Sequence, residues 1–260
     1  MASREEQKRR AREERAAAEL AETAAGRRRQ RLFLLGGILV IAVIVVGALV
    51  LVSQACDSGD TDATASGSLD GIPERGIALG DPKAPVTLVE FADPQCPYCA
   101  QYTRDVLPDL VDRYVKAGKL RMELRLVTFL GAEDSPDDST RLASAAYSAA
   151  DQDGLWKFIE LAYARQGTEH TGYATDEFIR SVAADTGLNA DQVMSDADSA
   201  KVAGLIAAAK AKWQDAGLDS TPSFLVGPTG GTLAPLDFSS LTVGSFTGPI
   251  DDALSAAGAS

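Results

Sequence analysis

The 21 residues from Leu32 to Val52 contain no charged or polar side chain. As a helix rising ~1.5 Å per residue, such a run is about 31 Å long, which matches the hydrocarbon thickness of a bilayer. The competing reading is a cleaved secretory signal. That needs a shorter apolar stretch, of about 7–15 residues, with a small-residue cleavage site close behind it. The length favours an uncleaved anchor. Arg27, Arg28, Arg29 and Arg31 flank the N-terminal side, and no basic residue follows until Arg75. By the positive-inside rule, residues 1–31 are expected to be a cytoplasmic tail, residues 32–52 a single-pass transmembrane anchor, and the C-terminal bulk extracytoplasmic.

Charge divides along the same line. The chain holds 25 Lys/Arg and 37 Asp/Glu; ten and six of these lie in residues 1–31. None lies in the anchor, so the outer part carries fifteen basic and thirty-one acidic residues, a net −16. That surface would repel nucleic-acid phosphates and reads as a solubility feature. Residues 1–25, rich in Arg, Glu and Ala, are expected to form a solvated helix, and Arg27 to Arg31 to meet anionic lipid.

Residues 53–79, rich in Ser, Gly, Asp and Thr, read as a flexible extracytoplasmic linker. Order is expected from Gly80 to residue 257. Val86 to Ala92 is a short apolar run suited to a strand buried on both faces. Asp93-Pro-Gln-Cys-Pro-Tyr-Cys99 then opens a helical segment to about Ala117, with a kink at Pro108. Leu120 to Leu126 alternates apolar and charged residues, as a half-exposed strand does. Strand, helix and strand make a parallel unit with a crossover helix. Residues 139–216 read as wholly helical, with starts at Thr175 and Asn189 and stops at Gly187 and Gly217. Ser223 to Val226, a turn at 227–231, another strand and a helix near 247–257 complete the chain.

Two cysteines separated by two residues at a strand-to-helix junction can close a small ring, cycling between dithiol and disulfide. Cys96 would sit at the helix N-terminus, where free N–H groups and the helix dipole stabilise a thiolate able to attack and leave. Cys99, one turn further in, would be the buried, resolving thiol. Pro97 suits the first helical turn, where no N–H is needed. A zinc site would need two further ligands, and the chain offers only Cys56 and His170. Haem attachment needs His where Ala100 stands. A purely structural disulfide stays open on these residues alone.

Thr221-Pro222-Ser-Phe224 precedes a strand more than a hundred residues later. With it, the chain resembles the thioredoxin superfamily, in its DsbA-like branch, over about residues 80–257. Cys-Pro-Tyr-Cys matches that family's tetrad, which glutaredoxins also use, and Thr221-Pro222 matches the loop carrying its cis-proline. The resemblance implies an α/β thioredoxin fold with a helical domain inserted at about 132–216. It implies that Pro222 is cis and holds the Thr221 backbone beside the sulfurs, ready for an extended substrate. It also places a buried acid beneath the site at Glu90, six residues before Cys96, where a raised pKa lets it exchange protons with Cys99. A strand-end Glu90 facing solvent is the alternative. Tyr98 stands where secreted members often carry His, which adds no positive charge and implies a less acidic Cys96. The family's basic partner for the buried acid is not assigned; Arg125 falls on the charged face of its strand.

The expected activity is therefore that of an extracytoplasmic thiol–disulfide oxidoreductase that oxidises cysteine pairs of unfolded, exported proteins. It uses no metal, nucleotide or flavin, and the resemblance implies reoxidation by a quinone-linked membrane protein. Two alternatives stand beside it: a reductase or isomerase of the same fold, and a membrane-tethered binding module with a structural disulfide. Cys56, four residues past the anchor, could be lipidated, pair between molecules, or remain a free thiol. His170 reads as a surface residue, and Tyr147, Trp156 and Trp213 as helix-core residues.

Overall fold

The computed structural model describes residues 69–131 and 137–259. The expected tail 1–31, anchor 32–52, the first part of the linker and Cys56 lie outside the described residues. Among the described residues, no helix is long and apolar enough to cross a membrane.

A six-stranded sheet is built from β1 (Glu74–Arg75), β2 (Ala78–Leu79), β3 (Val86–Ala92), β4 (Leu120–Leu126), β5 (Ser223–Pro228) and β6 (Ala234–Pro235), in the order β1-β2-β4-β3-β5-β6. β3 runs parallel to β4, with Glu90 opposite Leu124, and antiparallel to β5, with Glu90 opposite Phe224. Every residue of β3 is buried, whereas β4 alternates between buried and half-buried. A strand with neighbours on both edges and helices on both faces needs apolar side chains on both sides, as the β3 sequence has. Its two faces feed different clusters. Val86, Leu88 and Ala92 join the main core, and Val89 and Phe91 pack with Trp213 and Leu225 on the other side. Side chains alternate along a strand, so Glu90 shares the main-core face.

α1 (Pro97–Asp105) follows β3 directly, with Cys96 as its extended N-cap and Pro97 as its first residue. It stops at Val106, and a short α2 (Leu107–Leu110) continues as a π-helical turn over Val111–Val115. The break comes two residues before Pro108, whose ring would collide with the preceding turn if the helix ran straight.

Between β4 and β5 lies the helical insertion: α3 (Asp138–Ala149), α4 (Leu155–Ala164), α5 (Asp176–Asp185), α6 (Ala190–Asp196) and α7 (Ala200–Asp215). Its starts are capped as the sequence implies. Thr175 Oγ accepts from the Phe178 N–H, and Asn189 Oδ1 from the Gln192 N–H. Gly187 and Gly217 take positive φ (77° and 69°) after α5 and α7, where a side chain would be strained. The block is not helical throughout. Residues 165–175 form a loop, with positive φ at His170 and Gly172 that an α-helix does not tolerate. α8 (Val243–Ala256) starts four residues before the expected 247 and carries Pro249 in its interior.

Order also begins earlier than the linker reading implied. β1 and β2 form a small antiparallel pair on the sheet edge, and Leu69 and Leu79 are buried in the main core with Ile72 and Ile77 against it. Four scattered aliphatic side chains are enough to dock this polar stretch, so the linker is folded from residue 69 onward.

Candidate active site

Three elements converge on the cysteines. The N-terminus of α1 carries Cys96 and Cys99, the start of β5 carries Thr221 and Pro222 just ahead of it, and β3 carries Glu90 beneath them. Both cysteines are free thiols. Cys96 is 4 % exposed and Cys99 fully buried. The helix turn puts them together: the N–H of Cys99 donates to the Cys96 carbonyl at 3.1 Å. The Cys96 thiol donates to the carbonyl oxygen of Thr221 at 3.4 Å. The Thr221–Pro222 peptide bond is cis.

Electrostatics separates the two sulfurs. Cys96 is lowered to about 6, chiefly because the Cys99 thiol can donate to its thiolate; the Thr221 side chain and the N–H groups of Cys99 and Tyr98 add to this against the cost of burial. Cys99 moves the other way. Burial, the adjacent Cys96 and the Glu90 charge hold its pKa well above the ordinary thiol value. Near neutral pH the pair therefore consists of a thiolate at the N-terminus of α1 and a thiol one turn further in.

Glu90 is 1 % exposed, and burial together with the neighbouring Cys96 raises its pKa to about 8. Its Oε1 has no hydrogen-bond partner. The groups around it are Cys99, the Tyr102 ring from α1 and Tyr163 from α4, whose own pKa values are pushed up by burial with Glu90 contributing. A carboxyl in such surroundings keeps its proton at pH 7. Arg125 is turned away, in an ion pair with Glu123 at 2.8 Å, as its place on the charged face of β4 implied.

Of the seven residues singled out, Cys96, Cys99, Pro97, Thr221, Pro222 and Glu90 come together. Tyr98 is 62 % exposed and contributes its backbone N–H, while its ring stands in solvent. Beside Pro222 opens a cleft lined by Leu218, Phe224, Pro235, Leu236 and Phe238. His170 is exposed, and Tyr147, Trp156 and Trp213 are buried, as read from the sequence.

The sequence reading passed over a set of buried polar groups around the approach to Cys96. Asp93, Gln95 and Ser139 are fully buried and hydrogen-bonded to one another. Two polar residues between an apolar strand and the first cysteine were a visible signal. Ser139, forty-four residues on, carried none.

A thioredoxin family model matches residues 73–232. The probable disulfide bond formation protein D of Bacillus anthracis is 28 % identical over 166 residues, 63 % of this chain and 74 % of that protein. Among solved structures, oxidised BdbD from Bacillus subtilis matches with a TM-score of 0.59 at 21 % identity, over 69 % of this chain and 93 % of that one. Alpha-DsbA1 of Wolbachia pipientis matches with a TM-score of 0.57 at 19 % identity, over 73 % and 94 %. At these identities the structural matches speak to the fold.

Proposed function

The chain belongs to the thioredoxin family and is a DsbA-like protein thiol–disulfide oxidoreductase, and from that premise we propose that it oxidises cysteine pairs of exported proteins through Cys96 and Cys99. The observation that carries this reading is the contrast between the two sulfurs. Cys96, at a helix N-terminus with the Cys99 thiol and the Cys99 and Tyr98 N–H groups beside it, is stabilised as a thiolate; Cys99 is fully buried and held as a thiol. A stabilised thiolate favours the reduced form of the pair and makes its disulfide an oxidant.

In the proposed cycle, a substrate thiolate attacks the Cys96 sulfur of the disulfide. The Cys96–Cys99 bond breaks, a substrate–Cys96 mixed disulfide forms, and Cys99 leaves as a thiolate that takes the Glu90 proton. A second substrate thiolate attacks the substrate sulfur of the mixed disulfide. Cys96 leaves as a thiolate, the substrate is oxidised by two electrons and the pair is reduced. Glu90 recovers its proton from solvent. The Thr221 main chain, just ahead of Pro222 and outside β5, is the natural place for an extended substrate segment to pair, with the adjoining cleft taking its side chains. Tyr98 brings no positive charge to Cys96 and adds only its backbone N–H to the groups that lower it to about 6.

Residues 32–52 are proposed to anchor the chain in the cell membrane with the N-terminus cytoplasmic and the catalytic domain outside. Tethering would keep the domain at high effective concentration beside a membrane redox partner, proposed to be quinone-linked, that takes up the two electrons. The test is oxidation of reduced, unfolded ribonuclease by the full-length oxidised protein. Correct disulfides and recovered nuclease activity are expected, lost on Cys96→Ser. No gain in either would overturn the oxidase reading, and activity only in insulin reduction would replace it with a reductase.

A further inference from the structure

The three residues that lead from β3 to Cys96 are each gripped by the helical insertion. The Asp93 carbonyl accepts from the Tyr163 hydroxyl of α4 at 3.0 Å. The Pro94 carbonyl accepts from the Gln166 side-chain amide at 2.9 Å and the Tyr173 hydroxyl at 3.4 Å. The Gln95 side chain is held at both ends. Its amide donates to Ser139 Oγ at 2.9 Å, and its Oε1 accepts from the His170 N–H at 2.8 Å.

At the centre lies a directional chain of buried groups. The Ser139 hydroxyl, in the first turn of α3, accepts from Gln95 and spends its only proton on Asp93 Oδ1 at 2.6 Å. The same Oδ1 accepts from the Gln95 N–H at 2.8 Å, and Oδ2 from the Leu130 N–H at 2.7 Å. Burying a carboxylate costs several kcal/mol unless donors surround it, so a fully buried Asp with three donors is a geometric commitment. That commitment is made immediately before the nucleophile. The Cys96 N–H donates to the Asp93 carbonyl at 2.9 Å, and the Cys96 thiol reaches Thr221 at 3.4 Å. The contacts that stabilise its thiolate are short-range, so a small displacement of 93–95 weakens them.

We propose that Ser139 and Asp93 are a positioning pair through which the helical insertion fixes Cys96 against Thr221 and the N-terminus of α1. The insertion is then part of the exchange centre. This rests on the reading of Cys96 as the attacked sulfur. It adds that the sulfur's reactivity is set by a residue of α3, outside the thioredoxin sheet.

The test compares two serine-to-alanine changes on one helix, in the full-length reduced protein in detergent micelles. Ser139→Ala removes the link. Ser148→Ala removes an equally buried hydroxyl of α3 that bonds instead to the Gln192 carbonyl, away from the active-site loop. Three quantities are read: the Cys96 thiolate midpoint from its ultraviolet absorbance against pH, its alkylation rate at about pH 6, and the melting midpoint. Ser139→Ala is expected to raise the thiolate midpoint by roughly one unit, a tenfold loss of thiolate below it, with a matching loss of alkylation rate. Ser148→Ala is expected to lower the melting midpoint alone. Gln95→Met, nearly isosteric and without change of charge, removes the amide that ties the loop to Ser139, should shift the thiolate midpoint in the same direction, and decides the question if Ser139→Ala does not fold. An unchanged thiolate midpoint in the folded variants would overturn the proposal, as would an equal shift in Ser148→Ala. Ribonuclease oxidation measured in parallel separates the two readings. If the unsubstituted protein fails that assay while the midpoint still moves, the positioning pair stands and the oxidase reading falls.

Discussion

The Cys96 thiol and the Thr221 carbonyl lie 3.4 Å apart although 125 residues separate them in sequence. The contact joins the first turn of α1 to the start of β5, and it forms because β5 pairs with β3, the strand that feeds α1. It places the main chain an extended substrate would use beside the sulfur that substrate would attack.

The Cys99 thiol and the N–H groups of α1 lower Cys96 while burial raises Cys99, so the two thiols titrate apart. In the reduced protein one cysteine is expected to ionise with a midpoint of about 6, and Cys96→Ala to remove that transition. Because the folded value lies below the ordinary 9.0, the reduced fold gains stability from Cys96 as pH rises from 6 toward 9, and loses it as pH falls through 6. Rapid alkylation followed by peptide mapping should find label on Cys96 and none on Cys99 at mildly acidic pH. A midpoint near 4 would sink the argument that Tyr98 leaves Cys96 only moderately acidic.

Tyr102 gives a prediction of the opposite kind. Its ring packs against Phe224 and Phe246, with centroids 4.7 and 5.2 Å away, while its buried hydroxyl has no hydrogen-bond partner. Tyr102→Phe keeps the ring and removes an unsatisfied group, so it should stabilise the protein by about 1 kcal/mol. Denaturant unfolding at pH 7 checks it, and a loss of stability would mean the hydroxyl is satisfied in solution.

Much of this was legible in the chain. The apolar run of β3 and the alternation of β4 state their environments directly. Cys-Pro-Tyr-Cys and Thr221-Pro222 each have few uses, and together they name a fold. Caps at Thr175 and Asn189 could be read because capping is a local interaction. What could not be read is long-range and polar. Ser139 looks like any residue of a first helical turn, and only tertiary structure brings it to Asp93. The loop at 165–175 is set by positive φ at His170 and Gly172 and by its contacts with Pro94 and Gln95, which no periodicity records. The docking of residues 69–79 depends on a few aliphatic side chains in a polar stretch, too sparse to register as a pattern.

Glu74 lies in that docked stretch. Its Oε1 accepts from the Trp156 N–H at 2.8 Å, capping the N-terminus of α4 from the edge strand β1, and burial raises its pKa to about 7. Glu74→Ala should destabilise the domain by about 1 kcal/mol, in the range of a lost N-cap. Glu74→Gln keeps an acceptor and removes the titration. A folded pKa above the ordinary 4.5 means stability is lost as pH rises from 4.5 through 7. The Gln variant should therefore fall less than the parent between about pH 5 and pH 7.5 when both are unfolded in urea. Parallel curves would show that residue 74 is not docked.

Glu90 carries the largest expected pH effect. Its pKa rises from 4.5 to about 8 because the carboxyl is buried, with the neighbouring Cys96 adding to it. Below pH 4.5 the folded and unfolded chains both hold this proton and the group costs nothing. Between 4.5 and 8 the unfolded chain releases it and the folded chain does not, so stability declines as pH rises, by up to about 1.4 kcal/mol per pH unit. Above 8 the penalty is complete, on the order of 4–5 kcal/mol for a shift of this size. Glu90→Gln has no proton to lose, and its stability should be flatter over that window and higher than the parent's at pH 8. The same substitution removes the acid proposed to protonate Cys99. Reduction of the disulfide by dithiothreitol should then slow by about tenfold or more, with the Cys96 midpoint little changed, since Glu90 still holds its proton where Cys96 titrates. A variant that is more stable at pH 8 yet slower in exchange would identify Glu90 as an acid retained for its chemistry at a cost to the fold. A variant equal to the parent in both measurements would remove it from the site.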